Sequence, residues 1–291
     1  MKQSYGRKTE HGARLVAEIK EVADVIAEYF AKGRRMTVRQ VFYQLVARNL
    51  CENTIKQYDR VCARVATGRL EGAIDWMAIE DPSRPFYLPY SVKDIEGALE
   101  DTIDQYRLDR QKTQPSRLEV WLEKDALSGI LRPICEEFHV GLVVGKGSFS
   151  LTCRKKLSER LSWDGRPAVI LFLADYDPAG FMFKDNIRDA LELFGSPEFE
   201  IVHVALTKDQ VLKYDLPPQM VKEGDTRALK WKKTQGDDVC ELDAIEPGEL
   251  EELLRKAIKQ NLSIPKYRAM LRQEKQDKET LRSMIGKVMD E

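Results

Sequence analysis

Apolar residues recur at helical spacing through the first third of the chain. Leu15, Ile19, Val22 and Ile26 form one stripe and predict a helix from about Arg14 to Ala31. Thr37 stands where an N-cap belongs, ahead of a second helix carrying Val38, Val41, Phe42, Leu45 and Val46. A break at 48–53 leads into a third helix with Ile55, Tyr58, Val61 and Val65.

Gly68 and Gly72 follow, then a short segment from Ile74 to Ile79, then the Pro-punctuated run Asp81–Pro85. Two short helices, a tight turn and a following ribbon predict a winged helix-turn-helix. A fourth amphipathic helix (Val92, Ile95, Leu99, Ile103, Tyr106) ends in the polar run Gln111–Ser116, which reads as a linker.

After that run the period changes. Strands are predicted at Leu118–Glu123, Val140–Val144, Ala168–Ala174 and Glu200–Leu206, with helices at Ala126–Phe138, Leu151–Leu161 and Ala179–Phe194 between them. Strands alternating with helices imply an α/β fold with a mostly parallel sheet covered on both faces. The tail from Pro247 is helical (Leu250, Leu253, Leu254, Ala257, Ile258), as is a last stretch with Leu281, Met284, Ile285 and Val288. Two domains are expected: residues 1–113, and residues 118–291 with a helical extension.

The chain has 291 residues, 43% hydrophobic and 33% charged, with a net charge of −1. That fits a globular protein with a sizeable core and argues against disorder. No apolar run approaches the roughly 20 residues of a membrane span, and the N-terminus lacks a signal-peptide core. A cytoplasmic, nucleoid-associated location with no membrane partner is the expectation. Cys51, Cys62, Cys135, Cys153 and Cys240 never fall in C-x-x-C spacing, so neither a disulfide framework nor a zinc site is expected. His11, His139 and His203 are too far apart for an H-E-x-x-H helix, which leaves carboxylates as metal ligands.

Charge is uneven. Between Ala31 and Leu70, nine Lys/Arg face two acids. A local basic excess is what phosphate-backbone binding needs, although a solvated helix surface gives the same count. Arg34, Arg35, Lys56, Arg60 and Arg64 are the DNA-contact candidates in this window. Lys146, in the Gly145-Lys146-Gly147-Ser148 turn after the second strand, is another; an ordinary βα turn is the alternative.

Ligands of open α/β sheets bind outside the carboxyl ends of the strands. The first strand ends in Glu123 and the third runs into Asp175-Tyr176-Asp177. If those strands are neighbours, three carboxylates converge on one sheet edge, where Mg²⁺ would relieve their repulsion and bind a phosphodiester. Asp177 before Pro178 is equally a good helix N-cap.

The segments V-W-L-E-K-D-A-L (Val120–Leu127) and L-A-D-Y-D-P-A-G (Leu173–Gly180) resemble the two signatures of the TOPRIM domain of topoisomerases, primases and related nucleases. With a preceding winged helix, the D-P-x-G run resembles the DNA-cleaving, A-type component of topoisomerase VI and the related meiotic double-strand-break transesterase, above all their short stand-alone versions. The resemblance runs from about Thr37 to Ile258. It implies Mg²⁺ (or Mn²⁺) on Glu123, Asp175 and Asp177, double-stranded DNA as substrate, a homodimer, and a separate ATPase subunit for strand passage. No ATP-binding signature appears in the chain itself. The stretch Cys240–Ile245 also fits the family pattern, with no role implied for Glu241 or Asp243.

The family's tyrosine motif resembles R-x-x-Y-Y. Arg39-Gln40-Val41-Phe42-Tyr43 matches it at the arginine and the second tyrosine, which makes Tyr43 the implied nucleophile. On a helical wheel Tyr43 lies about 130° from the apolar stripe, with Arg39 one turn away. A guanidinium there favours the phenolate of a group whose pKa is ordinarily near 10, and can hold the phosphate. Expected, then, is DNA cleavage by Tyr43 with Arg39 and Glu123 in catalytic roles. A TOPRIM nuclease using water, and a non-catalytic winged-helix DNA-binding protein, are the alternatives.

Overall fold

Thr37 supplies the first demonstrable structural signal. In the computed structural model its hydroxyl accepts from the Gln40 N–H while the Gln40 side chain accepts from the Thr37 N–H, a reciprocal capping box. Such a cap is worth about 1 kcal/mol to a short helix. The residues described are 10–81, 89–145, 151–220 and 228–289. Lys146 and the rest of its turn (146–150), and Pro82 to Tyr87 with Leu88, lie outside them.

The N-terminal part contains α1 (Glu10–Ala31), α2 (Val38–Ala47), α3 (Ile55–Leu70) and α4 (Ile95–Gln105). Between α3 and α4, Trp76–Ala78 forms a 3-10 turn, and Met36 pairs with Ile79 in a single parallel bridge. The expected ribbon after α3 is thus absent among the described residues.

Then follow β1 (Arg117–Leu122), α5 (Ser128–Phe138), β2 (Gly141–Val144), α6 (Leu151–Asp164), β3 (Ala168–Leu173), α7 (Pro178–Leu193) and β4 (Phe199–Ala205). All four strands are parallel, in the order β2-β1-β3-β4. The chain moves outward from β1 to β2 and then crosses back to β3. The order therefore reverses between β1 and β3, the place where doubly wound sheets open a ligand crevice. The chain ends with α8 (Lys208–Lys213), the two-residue pair β5 (Gln219–Met220) and β6 (Asp238–Val239) flanking α9 (Ala228–Thr234), then α10 (Pro247–Asn261) and α11 (Ile264–Met289).

Two apolar cores cover the two sheet faces. One packs α6 and α7 (Leu157, Leu161, Phe183, Ile187) against Trp121, Ile170 and Phe172. The other joins Leu118, Val120 and Leu171 to α5 and α10, and is continuous with Ile26, Met36, Val41 and Val65 of the N-terminal helices. Alternation along β1 and β3 feeds both cores, as a sheet buried on both faces requires.

Two glutamines of the polar run after α4 are buried while Lys112, Thr113 and Pro115 between and after them are exposed. Gln111 is fully buried: its amide donates to the Leu118 and His139 carbonyls and accepts from the Leu118 N–H. Gln114 bonds both backbone groups of Ser263. Composition points to a linker because buried glutamines that replace missing backbone partners look the same in one dimension.

Candidate functional site

Register decides whether the acids meet. β1 and β3 pair with Leu122 opposite Leu173, and the Glu123 N–H donates to the Leu173 carbonyl (3.0 Å). Glu123 and Asp175 therefore leave the sheet side by side at the switch point. Each acid commits one oxygen to a backbone N–H. Glu123 Oε2 accepts from Asp175 (3.3 Å), Asp175 Oδ1 from Leu242 (2.7 Å), and Asp177 Oδ1 from Gly180 (2.7 Å). Asp177 is thus the N-cap of α7, with Pro178 in its first turn. Gly180 has a steric role: a Cβ there would lie 2.4 Å from the Asp175 carbonyl and 3.3 Å from Glu123 Oε2.

Burial, then Asp175 and Asp177, push the Glu123 carboxyl up to about 7. Burial also pushes Asp175 up to about 6, against the pull of Lys124 and the Leu242 N–H. Carboxylates crowded in this way are the condition that a cation relieves. The donor set is of hard oxygens, which suits Mg²⁺; among the described residues Glu123 Oε1 and Asp177 Oδ2 carry no hydrogen bond, while Asp175 Oδ2 faces Lys124 Nζ at 3.9 Å. Among the described residues, no group of three or more His, Cys, Asp or Glu side chains is placed so that it could hold a metal ion, and Glu123, Asp175 and Asp177 are no exception. Mg²⁺ does not require such a group, since it retains several waters and takes one or two carboxylates with substrate oxygens.

A second group of charges adjoins the first, and the sequence alone does not assign it. Tyr176 and Cys240 exchange backbone hydrogen bonds (2.8 and 2.9 Å), clamping the Asp175–Asp177 loop to the segment carrying Glu241 and Asp243. Lys124 reaches Glu241 Oε2 (2.8 Å), Asp243 Oδ2 and, at 3.9 Å, Asp175 Oδ2. Burial works against the Lys124 ammonium, but Asp243, Asp175 and Glu241 outweigh it and hold the pKa above its ordinary value. Asp243 is fully buried and neither oxygen accepts a hydrogen bond; its partners are the charges of Lys124 and, at 3.7 Å, Arg39 Nε.

Arg39 extends this network to α2. Its guanidinium donates to Glu241 Oε1 and lies over the Tyr58 ring. Burial raises Glu241, yet Lys124 and Arg39 together bring it below the usual carboxylate range.

Tyr43 belongs to the same neighbourhood but is only 2% exposed. Gln219 donates to its hydroxyl (2.9 Å), and Phe42 packs edge-on against its ring. Burial and then Glu241 push the phenol well above its ordinary value, while Arg39 and Lys124 pull the other way. The wheel argument puts Tyr43 off the apolar stripe, and so away from a core. Instead α2 is enclosed on almost every side: Gln40, Val41, Phe42, Tyr43, Gln44 and Leu45 are all buried.

The basic window is largely internally paired. Arg34 meets Glu251 (3.2 Å) and Arg48 meets Glu28 (2.9 Å). Arg60 and Arg64 both bind Glu18, which also takes Arg14 (3.1 Å). Burial raises Glu18, but the three arginines outweigh it and lower its pKa. Arg35 and Lys56 are exposed. No helix among the described residues is long and apolar enough to cross a membrane.

The arrangement joins an anionic rim, two partly exposed cations and a buried phenol at one sheet edge. Models of known protein families and curated proteins give no match to this chain.

Proposed function

We propose that this chain cleaves DNA strands in a Mg²⁺-dependent reaction, through a TOPRIM-like sheet edge and a tyrosine carried by a winged-helix-like unit. The observation that carries the reading is the pairing of Glu123 with Asp175 at the β1–β3 switch point, where the Asp175 N–H meets the Glu123 carboxylate. Glu123, Asp175 and Asp177 would hold the cation, with Mn²⁺ as a substitute. When bound, it would neutralise charge on the phosphodiester and on the departing sugar oxygen.

Tyr43 is the nucleophile of this reading. The phenol gives up its proton to water as its oxygen bonds to phosphorus and the bond from phosphorus to the sugar oxygen breaks; the departing sugar oxygen takes up a proton from water, leaving a phosphotyrosyl link that can be reversed. Arg39 and Lys124 are the cations whose fields favour the phenolate. Attack requires Tyr43 to come out of the α2 packing and away from Gln219. The homodimer, the DNA contacts of Arg34, Arg35, Lys56, Arg60, Arg64 and Lys146, and an ATPase partner for strand passage complete the proposal.

A second reading has an observation in its favour. Tyr43 is buried, hydrogen-bonded and held protonated, which suits a nuclease in which water attacks and the tyrosine is structural. Supercoiled plasmid incubated with protein and Mg²⁺, then denatured with and without protease, tests both. Nicked or linear DNA that is retained with protein until protease is added supports transesterification. Free broken ends support the water reaction. Intact plasmid in Mg²⁺ and in Mn²⁺ overturns both readings and leaves a DNA-binding protein.

A further inference from the structure

Three guanidinium groups converge on one carboxylate at the junction of α1 and α3. Arg60 Nε and Arg64 Nε donate to Glu18 Oε2 at 3.0 and 2.8 Å. Arg60 Nη2 and Arg14 Nε donate to Glu18 Oε1, the latter at 3.1 Å. The forked pattern is the one guanidinium groups use to hold phosphate oxygens. Charge is unbalanced: three cations surround one anion, and their mutual repulsion is only partly offset. Glu18 lies beneath, with a fifth of its side chain exposed, whereas Arg14 and Arg60 open to solvent. They border an open groove of about 290 Å³ between α1 and α3. Arg60 and Arg64 sit one turn apart on α3, the helix that follows the turn after α2.

We propose that Glu18 is an internal stand-in for a DNA phosphate, holding the Arg14–Arg60–Arg64 clamp until a backbone phosphodiester displaces it. The inference rests on the DNA-binding reading above and adds a regulatory residue to it. An intramolecular competitor lowers apparent affinity by the fraction of time it occupies the site. A lone phosphate meets the same opposition as any single anion. A duplex, with phosphates at closely spaced intervals, brings several at once to the groove and to exposed Lys56, one turn before Arg60 on α3.

The test is binding of a short fluorescent DNA duplex over a salt series, in EDTA so that cleavage does not intervene. Glu18→Gln keeps the shape of the side chain and removes its charge. Glu21→Gln, on the same helix and lining the same groove, removes the same charge without touching the three arginine contacts. Expected is about tenfold tighter binding for Glu18→Gln, with a steeper salt dependence, and little change for Glu21→Gln. The gain should vanish when Arg60 and Arg64 are both replaced by Gln. Where thermal unfolding shows that Glu18→Gln does not fold, Glu18→Asp, which draws the carboxylate back by one methylene, should give a smaller gain. Wild type that binds DNA while the Glu18 variants bind no more tightly overturns the inference alone, as does a gain that survives loss of both arginines. Absence of binding by wild type and by every variant overturns the DNA reading itself.

Discussion

The Asp175 N–H donates to Glu123 Oε2 across the ends of two adjacent parallel strands, 3.3 Å apart. That contact fixes one acid by the backbone of the other and brings two half-buried carboxyl groups together. Their repulsion is the clearest sign of a site built for something other than stability, because a core does not gain from crowding carboxylates.

The first prediction follows from that repulsion. Glu123→Gln should abolish Mg²⁺-dependent DNA cleavage while making the metal-free protein more stable at neutral pH by about 1 kcal/mol, the worth of a fraction of the pKa displacement. Mg²⁺ should raise the unfolding midpoint of wild type, because a ligand bound only by the native state stabilises it, and should not raise that of the double variant Glu123→Gln/Asp175→Asn. Plasmid cleavage and thermal unfolding with and without Mg²⁺ measure the two effects. A variant that is less stable without metal and still cleaves would show that these acids serve the fold.

Tyr43→Phe separates chemistry from packing. The substitution keeps the ring against Phe42 and removes only the hydroxyl that accepts from Gln219, so unfolding by urea should show a loss of about 1 kcal/mol. The protease-sensitive protein–DNA link should disappear altogether. Cleavage that continues at the wild-type rate in the variant would rule out the phenol as nucleophile.

Much of this architecture is legible along the chain, and what is hidden has physical reasons. Thr37 with Gln40, and Asp177 with Pro178 and Gly180, are local signals, since caps depend on residues three apart. The apolar runs of β1 and β3 announce a doubly covered parallel sheet. A helical wheel misplaces Tyr43 because it assumes one buried face, whereas α2 is buried on nearly all of them. No role for Glu241 and Asp243 can be read along the chain; they matter through Lys124 and Arg39, each more than a hundred residues away. Glu119 inside β1 is likewise buried, and is closed by Arg160 and the Trp121 indole.

Lys124 supplies the third prediction. It is the nearest cation to fully buried Asp243 and also serves Glu241 and Asp175. Lys124→Ala leaves Asp243 with Arg39 alone and should cost about 3 kcal/mol, the usual penalty for a buried charge stripped of its partner. Adding Asp243→Asn to that variant should recover most of the loss. Denaturant unfolding of the two singles and the double gives the coupling directly, and strict additivity would mean that the two groups do not depend on each other.

His203 gives the last prediction, and its sign can be worked out. It lies on β4 with its ring between Phe172 and Phe181, and Nε2 is buried without a hydrogen bond. Burial, and then the charge of Lys184, lower its pKa to about 4, although its hydrogen bond with the Ala205 backbone acts in the other direction. An unfolded histidine titrates near 6.5, so between those values the unfolded chain binds the extra proton and the folded chain does not. Stability from this group is complete above pH 6.5 and is lost as pH falls towards 4, by about 3 kcal/mol in all. Glu123 and Asp175 are raised rather than lowered, so their contribution runs the opposite way, present at low pH and lost as pH rises. The comparison must therefore be between wild type and His203→Phe, both unfolded by urea at intervals from pH 7 to about pH 4. The difference in unfolding free energy between the two proteins should shift in favour of the variant as pH falls. A difference that stays level across the range would mean that His203 takes up its proton in the folded state as readily as in the unfolded chain.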